Sequence, residues 1–328
     1  MSVPLSLIDF ATIFEGERPG DSFKRSVAMA QKAEALGFKR IWYAEHHNMP
    51  TISSSAPAVL ISHIGAHTNT IRLGAGGVML PNHSPYVIAE QFGTLAELYP
   101  DRIDLGLGRA PGTDMNTLRA LRREPSSAEY FPQDVVELQS YLAGRSRLPG
   151  VEAIPGKGTN VPLYILGSSL FGAQLAAQLG MPYSFASHFA PTHLEQAVST
   201  YRENYQPSEQ HPEPYVIAAV NVTAADTVEL AREHFATVAR ARVRSMAVRG
   251  RATITDEQLD AIMDSPSGRQ IVDMLRYTAI GTGTEVGDFL DDFTKTAQAD
   301  ELMISLQSPG TEATSRSMEI LAEAWFRA

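Results

Sequence analysis

The chain reads as an α/β protein, a (β/α)8 TIM barrel with an insertion between its seventh and eighth strands. Three observations predict this. Short apolar runs and helical patterns alternate eight times from end to end, which implies right-handed crossovers and a parallel sheet. An acid and two adjacent histidines, Glu45-His46-His47, stand just past the end of the second run, where parallel α/β proteins place their chemistry. The 328 residues, 44% of them hydrophobic, can bury one large core or two modest ones. Eight units suggest closure into a barrel, although a doubly wound open sheet gives a similar string.

Strands are expected at Leu5–Phe10, Ile41–Ala44, Ile71–Gly76, Ile103–Leu107, Leu163–Leu166, Tyr183–Ala186, Tyr215–Val222 and Glu301–Ile304. The first helix, Ser22–Leu36, is amphipathic and ends at Gly37, a good C-cap. Further helices are expected at Ala56–Ala66, Val87–Leu98, Ser126–Ala143, Leu170–Leu179, Thr192–Asn204 and Glu312–Arg327. A long helical stretch from Thr227 to Phe293 precedes the last strand. Residues 1–328 are taken as one domain, with about 227–287 as an insertion. The insertion holds Arg240, Arg242, Arg244, Arg249 and Arg251, most of which read as the solvated face of a long helix. Gly250, Ser265-Pro266-Ser267-Gly268 and Gly281-Thr282-Gly283 could instead punctuate a mobile lid. A second long segment, Arg109 to Ser126, holds the basic cluster Arg119, Arg122 and Arg123.

Composition excludes several classes. With 37 acids against 27 bases the formal charge is −10, which argues against a nucleic-acid or anionic-membrane surface. No cysteine is present, so disulfides, thiolate metal sites and cysteine nucleophiles are excluded. The start, Ser2 to Phe10, lacks a basic region and reads as a strand, and no apolar run of about eighteen residues exists. The expected location is cytoplasmic.

Four motifs carry chemistry. Glu45-His46-His47 could supply an acid/base or a partner to a cofactor, or be a hydrogen-bonded rim. No metal is expected: His63 and His67 share helical spacing but lack a partner acid, and no His-x-His or His-Glu-x-x-His pattern occurs. The glycines of Leu73-Gly74-Ala75-Gly76-Gly77-Val78 allow positive φ or close approach to a flat ligand, or a simple bulge. Arg109, set among glycines after strand four, is an anion clamp or a salt-bridge partner of Asp104 or Glu90. Gly167-Ser168-Ser169-Leu170-Phe171-Gly172 opens a helix that ends at Gly180; its serines cap that helix, or its free amides take a phosphate together with Arg109.

Taken in order, these motifs resemble the bacterial luciferase-like flavin monooxygenase family, and most closely its YhbW-type subgroup. The resemblance rests on Ala44-Glu45-His46-His47-Asn48, Gly74-Ala75-Gly76-Gly77-Val78-Met79-Leu80-Pro81-Asn82-His83-Ser84-Pro85, Ala89-Glu90-Gln91-Phe92-Gly93-Thr94-Leu95 and Tyr99 to Gly112. It continues through Gly167-Ser168-Ser169, Ser184 to Pro191, and Ala299-Asp300-Glu301-Leu302-Met303. It covers essentially the whole chain except roughly Ser208 to Thr284, which overlaps the family's mobile active-site loop. The resemblance implies a barrel monooxygenase that uses reduced FMN and O₂ on a small organic substrate. It also implies a separate NAD(P)H:flavin reductase that supplies the FMN, and a homodimer formed through helices of the first βα units. His46 matches the histidine beside the flavin, with Glu45 expected to orient it. His188 is expected to face the same pocket. Gly76-Gly77 matches a pair joined by a non-proline cis peptide, and Arg109 with Gly167, Ser168, Ser169 and Phe171 matches the phosphate end. The reactive cysteine of luciferase is replaced by Gly108, and no long-chain aldehyde site is recognisable, so light emission is not implied. Alternatives are an F420-dependent hydride-transfer oxidoreductase on the same barrel, a non-catalytic flavin-binding protein, and a metal hydrolase.

Overall fold

The computed structural model of the chain describes residues 2–110, 112–247 and 254–326; Pro111, Arg249, Gly250 and Arg251 of the motifs above lie outside them. The barrel is built from β1 (Leu5–Asp9), β2 (Arg40–Tyr43), β3 (Arg72–Met79), β4 (Ile103–Gly108), β5 (Leu163–Gly167), β6 (Tyr183–Phe185), β7 (Val216–Ala224) and β9 (Glu301–Leu306). Each pairs in parallel with its neighbour, and β7–β9 and β9–β1 close the ring. Closure settles the sequence's choice between barrel and open sheet. β2, β4 and β7 are buried along their whole length, as parallel strands covered on both faces must be.

Around the ring run α1 (Pro19–Leu36), α2 (Pro57–Gly65), α3 (Pro85–Leu98), α4 (Met115–Ala120), α5 (Phe131–Leu142), α6 (Leu170–Leu179), α7 (Leu194–Glu203), α8 (Val228–Ala247), α9 (Asp256–Asp264), α10 (Pro266–Asp273), α11 (Gly283–Thr296) and α12 (Gly310–Phe326). Gly37 and Gly180 close α1 and α6 in the left-handed conformation, at φ 91° and 60°, as their positions predicted. Prolines at the first turn set the starts of α1, α2, α3 and α10. The single helix expected over Ser126–Ala143 instead opens as a 3-10 turn, Pro125–Tyr130, before α5.

The insertion differs most from expectation. It contains a ninth strand, β8 (Thr278–Gly281), which pairs only with the carboxyl half of β7, Asn221–Ala224, outside the ring. Four residues in a long helical stretch carry too little periodicity to announce a strand. Two of the three proposed lid hinges are packed helix starts: Ser265 caps α10 by accepting from the Gly268 amide at 3.1 Å, and Thr282 caps α11.

The barrel has a charged floor and an apolar waist. At the amino-terminal end Arg40 donates to Asp104 at 2.6 Å, to Glu301 at 3.1 Å and to the Tyr164 hydroxyl at 2.8 Å. Arg72 adds a second bond to Asp104 at 2.6 Å, while Lys39 and Tyr215 donate to Glu301 at 2.9 and 2.7 Å. Burial pushes the Glu301 carboxyl up, but Arg40 and Lys39 outweigh it and hold Glu301 below the ordinary range. Above this floor Trp42, Tyr164, Ile217, Ala219 and Met303 fill the interior. With that end sealed, a ligand can enter only at the carboxyl ends of the strands.

Candidate active site

The segment after β2 is fixed by backbone bonds: His46 N–H donates to Ser54 at 3.1 Å and His47 N–H to Gly112 at 3.3 Å. Side chains alternate along such an extended stretch. Glu45 and His47 therefore turn one way and His46 the other. The wholly buried Glu45 carboxylate accepts from His47 Nε2 at 2.9 Å, His83 Nε2 at 2.8 Å and the Met79 amide at 3.1 Å. Burial alone raises its pKa, yet these donors win and hold it below the ordinary value. An ionised carboxylate only accepts, so both imidazoles carry their proton on Nε2. This corrects the expectation that Glu45 orients His46: it orients His47 and His83 and ties the ends of β2 and β3 together. His83 lies in the stretch from Gly74 to Pro85, where nothing in the spacing points it at Glu45.

His46 and His188 meet across Phe10, their ring centroids 5.8 and 6.2 Å from it. Nδ1 of His46 and both ring nitrogens of His188 are buried without a partner. His188 is only 7% exposed; Asn221 holds its backbone carbonyl with a 2.7 Å bond. Burial lowers the His46 pKa; the Glu45 charge opposes this, and His47 and Arg242 add to it. Burial, then Arg242 and then His46, push His188 down to about 3. Both rings are thus neutral bases at ordinary pH.

Arg242 is an exception to the solvated face expected for most of the insertion's arginines. Residues two apart on a helix point in nearly opposite directions. Arg240 and Arg244 pair outward on α8 with Asp260 and Asp256. Arg242 turns inward: its Nε is buried without a partner, and burial lowers its pKa. The 240/242/244 spacing was the signal that could have found it.

Across the mouth, the exposed Arg109 lays its guanidinium 4.1 Å over the Phe171 ring at the start of α6. Ser169 occupies the N-cap position but makes no capping bond, so the first amides of α6 keep no side-chain partner there. Gly167 and Gly172 let β5 and α6 approach: a Cβ on Gly167 would stand 3.4 Å from the Gly172 Cα. Asp104 belongs to the floor, with Arg40 and Arg72, and Arg109 makes no ion pair among the described residues. The salt-bridge alternative to Asp104 is thereby removed.

The Gly76–Gly77 bond is cis, and the β3–β4 register shifts between Ala75 and Val78. Neither glycine has positive φ; their need is space. A Cβ on Gly76 would stand 2.9 Å from the Trp42 Cβ, and one on Gly77 would stand 2.7 Å from the Gly106 carbonyl oxygen. His63 and His67 form a ring pair 4.6 Å apart on the outer surface. Among the described residues no group of three or more ligating side chains is placed to hold a metal ion.

The model of luciferase-like monooxygenases matches residues 5–298. The chain belongs to the luciferase-like monooxygenase family. It is 45% identical over 325 residues to the uncharacterized protein YvbT of Bacillus subtilis (strain 168), covering 98% of this chain and 96% of that one. It is 43% identical over 321 residues to a luciferase-like monooxygenase of Escherichia coli (strain K12), covering 97% and 96%. An N-acetyl-S-alkylcysteine monooxygenase of Bacillus subtilis (strain 168) is 32% identical over 343 residues, covering 98% of each. The crystal structure of apo-MsnO8 matches with a TM-score of 0.88 and 35% identity over 99% of each chain. A type II Baeyer-Villiger monooxygenase in complex with FMN and an F420-dependent secondary alcohol dehydrogenase share the fold alone, at 13% and 15% identity and TM-scores of 0.69 and 0.71.

As a monooxygenase of this family, the chain presents one mouth with two poles. One is a cationic, aromatic-backed helix start suited to an anion; the other is a pair of imidazoles with buried, unpartnered ring nitrogens. The exposed guanidinium and uncapped α6 start suit an anion such as a phosphate, and the unpartnered imidazole nitrogens suit a polar group of a ligand. No helix among the described residues is long and apolar enough to cross a membrane.

Proposed function

We propose that this protein is the oxygenating half of a two-component FMN-dependent monooxygenase acting on a small organic substrate. The observation that carries the reading is the Arg109–Phe171 clamp at the uncapped start of α6, set opposite the unpartnered rings of His46 and His188. Arg109, Ser168, Ser169 and the α6 amides hold the FMN phosphate, and Phe171 fixes the guanidinium plane. The Gly76–Gly77 segment forms the wall for the ring system. Reduced FMN supplies the electrons that activate O₂.

The protein supplies a dry, oriented pocket. His46 Nδ1 and His188, neutral by burial, accept or hold a proton at the reacting end. Glu45, through His47 and His83, fixes the loops that carry His46 and the β3 end. A separate NAD(P)H:flavin reductase supplies the FMN by diffusion in the cytoplasm. The chain works as one domain, paired as a homodimer through α2 and α3, whose outer faces leave Val59, Val87 and Leu98 at 72%, 42% and 56% exposure.

The test is a coupled assay with a flavin reductase, NADH and candidate thioethers and ketones under ¹⁸O₂. Label in the product with less than stoichiometric peroxide supports the reading. Hydride transfer from reduced F420 in the absence of O₂, with no label incorporated, would replace it with the F420 alternative. Flavin binding with full release of peroxide for every substrate tried would replace it with a flavin carrier.

A further inference from the structure

The flavin reading leaves Arg242 without a task. Its helix, α8, spends Arg240 and Arg244 on surface pairs with Asp260 and Asp256, but turns Arg242 to the opposite face, where its Nε is buried without a partner and its charge is felt at His46 and His188. A guanidinium carries five N–H donors and a permanent charge. Holding one half-buried with its Nε sealed and unpartnered is costly unless a ligand completes it. The rings that feel its charge do not: burial holds His46 and His188 uncharged. No acid pairs with Arg242 among the described residues. The cofactor phosphate already has its cation, Arg109, stacked on Phe171 at the β4–α6 side of the mouth.

We propose that Arg242 selects the substrate: it binds an anionic group, specifically a carboxylate, at the histidine end of the mouth, and so defines the substrates as small organic acids. A planar guanidinium and a carboxylate match as a two-bond fork. One cation among neutral rings balances one negative charge, whereas a phosphate would bring about 1.5 to 2 and leave charge uncompensated. The placement also puts selectivity on the insertion, whose residues can vary without disturbing the barrel. The proposal rests on the barrel mouth being the flavin site, as stated above.

The experiment uses the full chain, with and without saturating FMN, and two probe pairs read by calorimetry: N-acetyl-S-methylcysteine against its carboxamide, and benzoate against benzamide. Wild-type protein is expected to bind at least one acid about tenfold or more tighter than its amide. Arg242→Met is expected to erase that preference, Arg242→Lys to restore part of it, and both to leave FMN affinity within about twofold of wild type. The proposal is overturned if no acid binds better than its amide, or if the preference survives in Arg242→Met. Loss of FMN binding in Arg242→Met also overturns it, by moving Arg242 to the cofactor pole. If wild type binds no FMN yet prefers acids through Arg242, the flavin reading fails and the anion site stands.

Discussion

Replacing Glu45 with Gln tests whether one buried carboxylate holds the mouth together. The carboxylate accepts three hydrogen bonds, two on Oε1 from His47 and His83 and one on Oε2 from the Met79 amide. The amide of Gln offers a single acceptor oxygen in the same volume. At least one of the three donors then faces an NH₂ group and is stranded in a wholly buried site. An unsatisfied buried donor costs about 1–3 kcal/mol, and the surviving bonds lose their charge assistance, so the total is on the order of 2–4 kcal/mol. Urea unfolding should show this as a lower midpoint with an unchanged m-value. The pH dependence carries its own signature. Because the folded Glu45 pKa is depressed, its contribution is present above the ordinary carboxylate range and is lost as pH falls through the folded value. The wild-type advantage over Glu45→Gln should therefore shrink in acid. A double-mutant cycle with His83→Gln should give a coupling energy of about 1 kcal/mol or more. A Glu45→Gln loss below about 0.5 kcal/mol, or zero coupling, would refute the role given to the carboxylate.

Four further substitutions have expected outcomes. Arg109→Ala should weaken FMN binding about 10- to 100-fold by fluorescence titration, and Ser169→Ala a few-fold while moving stability by less than about 0.5 kcal/mol, because Ser169 makes no capping bond to lose. His188→Gln should flatten the acid limb of stability. The wild-type ring has its pKa at about 3 against an ordinary 6.5, so its contribution is full above 6.5 and falls toward 3, by up to about 1.4 kcal/mol per pH unit. Arg40→Met should cost about 3–5 kcal/mol in chemical unfolding, since among the described residues it leaves the buried Asp104 and Glu301 with Arg72 and Lys39 as their remaining cations.

Much of the barrel was legible because each strand is a buried apolar run and each helix is punctuated. Gly37, Gly180 and the first-turn prolines mark ends by backbone chemistry that needs no tertiary context. Past the strand ends, Arg109 and Ser169 were readable for the same reason: a strand, a glycine turn and a helix start fix where they stand. Partnerships were not readable. Which imidazole Glu45 takes depends on the turn of an extended segment and on His83, 38 residues away. The floor joins residues 6, 40, 104, 164 and 301, brought together only by closure of the ring. Arg242 lay between the two cases, because helical spacing sets it apart from Arg240 and Arg244 but cannot say that its face is the inner one. β8 was hidden because its four residues lie inside a stretch whose pattern is otherwise helical.

The central claim is that the barrel mouth binds reduced FMN through the Arg109–α6 pole. The most direct measurement is an anaerobic titration of the purified chain with FMNH₂, followed by stopped-flow mixing with O₂, for wild type and Arg109→Ala. Saturable one-to-one binding is expected, with reoxidation that differs from free FMNH₂ and depends on His46, and with binding weakened at least about tenfold in Arg109→Ala. Absence of saturable binding, or wild-type affinity retained in Arg109→Ala, would contradict the claim.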